Sequence, residues 1–402
     1  MHFLERVSNA YSMSEAPQRF YWWSAAAALA ATVRKNVFID RGGVFRQYAN
    51  IYVFIVGRSG IRKGIPVSVG RILAEKADNT RIVTGRTSFQ KMIQDLGKAK
   101  SLENGKVLKE AHALIVSGEL SSMLIKDSDA LNVLIDIFNT HEHEKEWINT
   151  LKSTGIDVLK SPCITLLAAT NEELFPETVQ NKDVNGGFIA RTFIIYSSDA
   201  ACINPLTRKN GNPPDLDSLS EYLKDIKDVK GEFQWTNEAM IIYEQWYSDL
   251  KTKLQNRTLF DPTGTYERLG DQVIKLAMII SLAYDDSLLL KSIYIEEAMN
   301  ECELCCQGMR QVTLGHSSNR SNEGNCMRTI IKALIDIPDH KMTREQLLSR
   351  YWGNISVFDI DRIAETMQAA GAIDIRVNGK NYTYSLKPSA LDLYVNFKTQ
   401  IF

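Results

Sequence analysis

The chain has 402 residues, 44% of them hydrophobic and 24% charged, with a formal net charge of −1. That length holds two or three domains with a sizeable core, and the near-zero charge gives no sign of a polyanion partner for the chain as a whole, so any nucleic-acid surface is local. Six cysteines without a regular framework suit a reducing compartment; with no cleavable leader and no apolar run near the ~20 residues of a membrane span, a cytoplasmic protein is expected.

In chain order, residues 13–35 read as a helix: Pro17, then Phe20, Tyr21, Trp22 and Trp23, then alanines up to Arg34 and Lys35. Basic residues at its end complement the helix dipole, and the aromatic cluster reads as core. Residues 36–40, the turn Arg41-Gly42-Gly43 and residues 44–48 suggest a hairpin.

Ile51 to Val56 then runs without a polar residue, as a strand of a parallel sheet does when both faces are covered. It stops at Gly57-Arg58-Ser59-Gly60-Ile61-Arg62-Lys63-Gly64. Glycines let backbone N–H groups converge on an anion, a lysine adds a point charge, and the following helix presents its positive end. The stretch reads as a phosphate-binding loop, with a plain strand–turn–helix as the alternative. Against the pattern G-x-x-x-x-G-K-[ST], Arg62 stands for the second Gly and Gly64 for the hydroxyl residue that would ligate Mg²⁺.

Residues 67–76 read as helix, 81–84 as a short strand, 88–100 as an amphipathic helix and 101–110 as a loop. A second apolar run, Ala113 to Val116, ends in Ser117-Gly118-Glu119. Ligands gather at the carboxyl ends of parallel strands, so Glu119 is the candidate acid, for metal association and base catalysis alike. Its alternative is an ordinary exposed Glu. Residues 132–139 read as helix, and the His141-Glu142-His143-Glu144 run as solvated surface or a metal cluster. Residues 146–151 and 156–160 form a hairpin tipped by Lys152-Ser153-Thr154-Gly155. A third buried strand, 164–169, ends in Thr170-Asn171, where an amide either holds an attacking water or caps a helix. Gly187 to Arg191 leads into a fourth, 192–196.

After a breaker-rich linker at 201–214, residues 215–309 read as all helical: 216–229, 237–254, 266–284 and 293–309. Cys302, Cys305 and Cys306 there are either buried thiols or part of a zinc site with His316 and Cys326. Beyond a second linker at 314–325, three helices (326–336, 343–351 and 356–370) precede a hairpin, 372–377 with 382–386 across Asn378-Gly379-Lys380. This is the plan of a winged helix-turn-helix. With ten basic and eight acidic residues in 325–402, the tail can serve DNA contact, protein contact or internal packing.

The whole order resembles an AAA+ ATPase core with a helical lid and a winged helix, and more closely the ATPase module of phage- and mobile-element primase-helicase proteins, whose domain plan is like that of MCM helicases. The resemblance covers roughly residues 15–310 and rests on Arg19-to-Ala31, Tyr52-to-Gly64, Ser117-Gly118-Glu119, Trp147-to-Lys160 and Gly187-Phe188-Ile189-Ala190-Arg191. It implies an α/β P-loop NTPase sheet: residues 1–50 as an N-terminal segment, 51–200 as ATPase core, 215–313 as lid and 326–402 as winged helix.

The resemblance also implies ATP and Mg²⁺ bound by Gly57, Ser59, Gly60, Ile61, Arg62, Lys63 and Gly64. Glu119 would activate water and meet the metal. Asn171 would be the first sensor, Arg191 would act in a neighbouring subunit, and Arg268 resembles a second sensor. Departures at Arg62, Gly64, Ile65 and Gly118 leave the Mg²⁺ shell short of protein ligands.

The expected protein is an ATP-driven, ring-forming DNA helicase or translocase, a hexamer replicating a phage or mobile element in a bacterial host. Its DNA, a single strand or fork, would pass the pore at Lys152 and Ser153, with Lys380 on the wing as a further contact. A primase or other replication proteins would be partners. The rivals are a nucleotide-sensing initiator, loader or scaffold with weak hydrolysis, and an AAA+ remodeller of protein partners.

Overall fold

The uninterrupted apolar runs become one five-stranded, all-parallel sheet in the computed structural model of the chain. The structure describes residues 1–78, 80–84, 89–97, 101–103, 106–108, 111–118, 130–138, 146–151, 155–175, 187–203, 215–256, 258–259, 261, 263–315, 330–331, 333–335, 337–351, 357–369, 371–379 and 381–387. They fall into two units, Met1–Val312 and Thr313–Phe402.

The first unit opens with α1 (Phe3–Ala10) and α2 (Gln18–Val33). The helix expected over 13–35 therefore starts only at Gln18. Pro17, with no N–H to donate, sits at its N-cap. A second helix precedes it, burying Phe3, Leu4 and Val7. Strands β1 (Val37–Asp40) and β2 (Arg46–Tyr48) form the expected antiparallel hairpin.

Next come β3 (Tyr52–Gly57), α3 (Gly64–Lys76), β4 (Ile82–Thr84) and α4 (Phe89–Gly97). The stretch expected as a loop over 101–110 contains an antiparallel pair, β5 (Ser101–Glu103) with β6 (Lys106–Leu108). Asn104-Gly105 between them is itself a hairpin signal. Then follow β7 (His112–Ser117), α5 (Ala130–Phe138), the hairpin β8 (Glu146–Leu151) and β9 (Gly155–Lys160), β10 (Cys163–Asn171) and β11 (Thr192–Ser197).

The sheet order is β11-β3-β10-β7-β4. Alternate residues of the central strands feed two cores. Val53, Ile55, Leu167 and Ala169 face the one shared with α2 and α3, and Tyr52, Phe54, Leu166 and Ala168 face the one built with α5. Both faces being covered, the strands need no polar alternation.

Residues 215–312 add α6 (Leu216–Ile226), β12 (Gly231–Glu232), β13 (Gln234–Trp235), α7 (Asn237–Gln255), a 3₁₀ turn at Tyr266–Arg268, α8 (Leu269–Tyr284), β14 (Leu289–Leu290) and α9 (Ser292–Gly315), which runs past the unit boundary. The segment expected to be all helical thus holds three two-residue strands, too short to show any periodicity. β12 extends the hairpin sheet by pairing with β1, and β13 pairs with β14. Helices α6, α8 and α9 bury their apolar faces in the core that α1, α2 and α3 already share. Cys302, Cys305 and Cys306 lie inside that core, where burial pushes the Cys305 thiol up to about 12 and holds all three neutral.

The second unit, taken by itself, has helical residues at 330–331 and 333–335, then β15 (Lys341–Thr343), α10 (Arg344–Tyr351), α11 (Val357–Ala369), β16 (Ile373–Asn378) and β17 (Asn381–Leu386). The hairpin is where Asn378-Gly379 places it, with Gly379 at φ +63°. β15, a strand not expected from the sequence that takes Thr343 from the start of the expected second helix, completes a three-stranded antiparallel sheet in the order β15-β17-β16. Ile330, Leu334, Leu347, Ile363 and Tyr384 are its core.

Candidate functional site

β3 and β10 are neighbours in register, Gly57 opposite Asn171. Beyond these ends the chain leaves in opposite directions. After β3 it turns into α3, whose Val67 and Leu73 pack on one face of the sheet; after β10 it runs to Phe175, which packs on the other. Adjacent strands whose continuations part in this way leave a crevice at their carboxyl ends, where ligands of open parallel sheets bind.

The loop 57–64 lines that crevice. Gly57 must be glycine, because a Cβ there would lie 2.6 Å from the backbone oxygen of Ser197 on β11. Gly60 sits at φ +90° and Arg62 at +60°. Arg62 therefore holds the left-handed backbone that favours Gly, and its exposed guanidinium is turned out to Glu15. Ile61 is the loop's buried anchor, while Ser59 and Gly64 are exposed. A Cβ on Gly64 would meet nothing within 4 Å.

Lys63 folds its ammonium back across the crevice. It donates to Gly57 O and Arg58 O at 2.7 Å each, and to Asn171 Oδ1 at 2.8 Å. Two residues nominated from separate motifs are thereby in contact. A third group, absent from the sequence reading, closes the crevice. Glu172 is buried, accepts from Arg58 Nε at 3.3 Å and from the Tyr196 hydroxyl at 2.7 Å, and so ties the ends of β3, β10 and β11 together. Burial, then the bond and charge of Glu172, pushes the Tyr196 phenol up to about 12. An acid directly after the candidate Asn was the available signal.

No protein-family model and no curated protein matches this chain. Its geometry therefore carries the functional reading.

β7, the strand that leads to Glu119, pairs with β10 up to Ser117 opposite Ala168. Glu119 itself lies outside the described residues, as do Lys152, Ser153, Lys380 and the run 141–144. Among the described residues no group of three His, Cys, Asp or Glu is placed to hold a metal, and no helix is long and apolar enough to cross a membrane.

Arg191 and Arg268 are elsewhere. Arg191 precedes Thr192, which pairs with Tyr52, the first residue of β3. It is therefore at the amino end of the sheet, roughly 17 Å of strand from Lys63 at about 3.3 Å per residue. It is buried and donates to Gly187 O at 2.7 Å. Burial, then the charge of Arg268, pulls it down to about 10. Arg268, at the start of α8, shares with it a cavity of about 180 Å³.

The cavity is lined also by Gln272 and Lys275, neither of them nominated from the sequence. Lys275 is buried and donates to Tyr48 O at 2.7 Å, to Asn50 O at 3.1 Å and to Asn50 Oδ1 at 2.7 Å, with the Phe138 ring 4.6 Å away. The signal was a single cation inside the apolar run Val273-Ile274-Lys275-Leu276-Ala277.

Proposed function

We infer that this chain is an ATP-driven, ring-forming DNA helicase or translocase of the AAA+ type, replicating a phage or mobile element. The observation that carries the reading is Lys63 reaching Asn171 across the crevice between β3 and β10. In this reading phosphate oxygens replace the neutral oxygens around the Lys63 ammonium, and the N–H groups at the start of α3 complete the cradle. Glu119 would hold Mg²⁺ with water filling the rest of its shell, because Gly64 brings no hydroxyl, and the metal would offset phosphate charge. Asn171 positions the attacking water and Glu119 accepts its proton. Adjacency of β3, β10 and β7 in the sheet supports a site shared by all three strand ends.

Arg191 and Arg268, at the opposite end of the same strands, serve the crevice of the next subunit in a hexameric ring. The hairpin β8–β9 carries Lys152 and Ser153 toward DNA in the pore, where contacts to backbone phosphates grip without reading bases. The second unit, with helices ahead of a β-hairpin, is a winged helix in this account, and Lys380 at its turn is a further DNA contact.

The exposed Arg62–Glu15 pair and the missing hydroxyl at Gly64 favour one rival, a nucleotide-sensing initiator or loader with weak turnover. Binding of a fluorescent ATP analogue to the parent and to Lys63→Ala tests the shared part of both readings. The variant should bind at least tenfold more weakly, and equal affinity overturns the site. Strand displacement on a forked duplex, with Lys152→Ala alongside, separates motor from loader.

A further inference from the structure

The crevice between β3 and β10 holds a cation that the phosphate-loop pattern does not ask for. Arg58 follows Gly57, and its carbonyl is one of the oxygens that take the Lys63 ammonium. Its side chain leaves toward Glu172, whose own N–H donates to Gly57 O at 3.3 Å and so carries the β10 ladder one residue past Asn171. The guanidinium therefore stands at the same strand ends as Lys63. It lies beside Tyr196, which packs on the core of the α5 face, whereas Lys63 leads into α3 on the other face.

The way Arg58 is held decides what it can do. Its bond to Glu172 runs from Nε to Oε1 alone, at 3.3 Å. The two-pronged grip of arginine on a carboxylate is not made here, and the Tyr196 hydroxyl takes the other oxygen, Oε2, at 2.7 Å. Among the described residues neither terminal nitrogen of Arg58 has a hydrogen-bond partner, and the side chain is 65% exposed. A guanidinium anchored at Nε and open at both Nη atoms is a fork with a fixed direction, the geometry that meets a phosphate with two parallel bonds.

A second observation is the charge of the loop itself. Gly64 brings no hydroxyl for a metal, and the first turn of α3 carries no acid. Arg58 and Lys63 instead set one cation on each flank of the crevice. Neither needs a metal between it and a phosphate oxygen.

We propose that Arg58 is a second phosphate contact of this crevice, acting within its own chain, and that it supplies part of the charge a metal supplies in a complete loop. The ligand class is a nucleoside polyphosphate, whose neighbouring phosphates offer oxygens to both cations. The proposal rests on the reading of the crevice as a nucleotide site and names a residue that the loop pattern leaves out. Glu172 and Tyr196 are positioning residues, since they reach the ligand only through Arg58.

The test is equilibrium binding of a fluorescent ATP analogue to the full-length chain, once with Mg²⁺ and once with EDTA. In EDTA the parent should bind within about tenfold of its affinity with Mg²⁺. Arg58→Gln keeps a donor for Glu172 but no charge. It should weaken binding in EDTA about tenfold or more, the scale of one charge-assisted hydrogen bond, and weaken binding with Mg²⁺ less. Tyr196→Phe frees Oε2 to draw in an Nη nitrogen, and should weaken binding in EDTA several-fold. One readout needs only the parent chain. Phenylglyoxal modifies exposed guanidiniums, and nucleotide in EDTA should shield Arg58, as mapped by mass spectrometry, while Arg71, paired with Glu75 along α3, stays as reactive as before. If Lys63→Ala loses binding while Arg58→Gln does not, or if Arg58 reacts equally with and without bound nucleotide, the second contact is overturned and the crevice reading stands. Loss of parental binding in EDTA alone overturns the charge assigned to Arg58, and undiminished binding by Tyr196→Phe overturns its positioning. No binding by the parent in either buffer overturns the crevice reading and the proposal together.

Discussion

The two ends of the parallel sheet use positive charge in opposite ways. At the carboxyl ends of β3 and β10, Lys63 donates to two carbonyls of its own strand and loop, Gly57 O and Arg58 O, and to Asn171 Oδ1 on β10. At the amino ends of β3 and β11, Arg191, Arg268 and Lys275 share one cavity with a single carboxylate among its described lining. The first arrangement is satisfied and exchangeable, since the lysine can trade oxygens for those of a ligand at little cost. The second is crowded: burial, then the charge of Arg268, lowers the proton affinity of Arg191, and burial lowers that of Lys275. Motifs name the residues; only strand register shows that Asn171 belongs with Lys63 while Arg191 does not.

The comparison breaks most visibly at Arg191. If the amino end of one chain completes the crevice of the next, Arg191→Ala should lower ATP turnover by ~10³–10⁵, the range for an arginine that meets developing phosphoryl charge. Mixing that variant with Glu119→Gln subunits should restore part of the turnover, because some mixed sites then hold intact parts from both. Wild-type turnover in Arg191→Ala, or no recovery in confirmed mixed oligomers, would leave the two ends functionally unrelated.

Glu119 sharpens the carboxyl end alone. Glu119→Gln should keep nucleotide affinity and lose ~10²–10⁴ in turnover, as removal of a general base does. Hydrolysis at the parental rate would reassign the strand end, with buried Glu172 the next acid to test.

The sequence showed the sheet more readily than the site. Strands covered on both faces must be apolar throughout, so β3, β7 and β10 announced themselves as runs, and each ended where a site residue followed. Two-residue strands such as β12 carry no period, and their pairing depends on an edge of β1 that is remote in the chain. Among site residues, Lys63 and Asn171 were legible because each follows a strand. Arg268 was nominated with them, yet its placement beside Arg191 depends on how α8 packs under the hairpin. Gln272 and Lys275 were missed because a helix of this composition looks like pure core; a polar group amid apolar neighbours acquires meaning only when its partners, here Asn50 and Ala190, are in place.

Lys275 sharpens the amino end through pH. Burial pulls its ammonium down to about 7. Between that value and the ordinary lysine range near 10.4, the unfolded chain holds a proton that the folded chain has released. Stability therefore rises with pH across this window and falls away as pH drops toward 7. Urea midpoints of the intact chain should accordingly increase from pH 7 to pH 9, and Lys275→Met should flatten that slope. The variant also leaves Asn50 Oδ1 without the amine that bonds it at 2.7 Å, a cost of about 1–3 kcal/mol for a buried acceptor. Parallel pH profiles for parent and variant would show that Lys275 stays charged throughout and that the slope arises elsewhere.

Gly64 offers the smallest expected effect and the most direct reading of the crevice. It is the first residue of α3, directly after Lys63, where a hydroxyl would ligate Mg²⁺ in a complete loop. A Cβ placed there meets nothing within 4 Å, so Gly64→Ser adds its hydroxyl without displacing a neighbour. Serine is also a better helix former than glycine, by a few tenths of a kcal/mol, so folding should not suffer. If the crevice holds a nucleotide and its cation, Gly64→Ser should lower the Mg²⁺ concentration for half-maximal turnover several-fold, since one protein oxygen then replaces a water in the metal shell. Titration of ATPase activity with Mg²⁺, parent against variant at saturating nucleotide, reads this directly. Identical Mg²⁺ curves would place the cation away from α3, and the loop would then bind phosphate through Lys63 and its backbone alone.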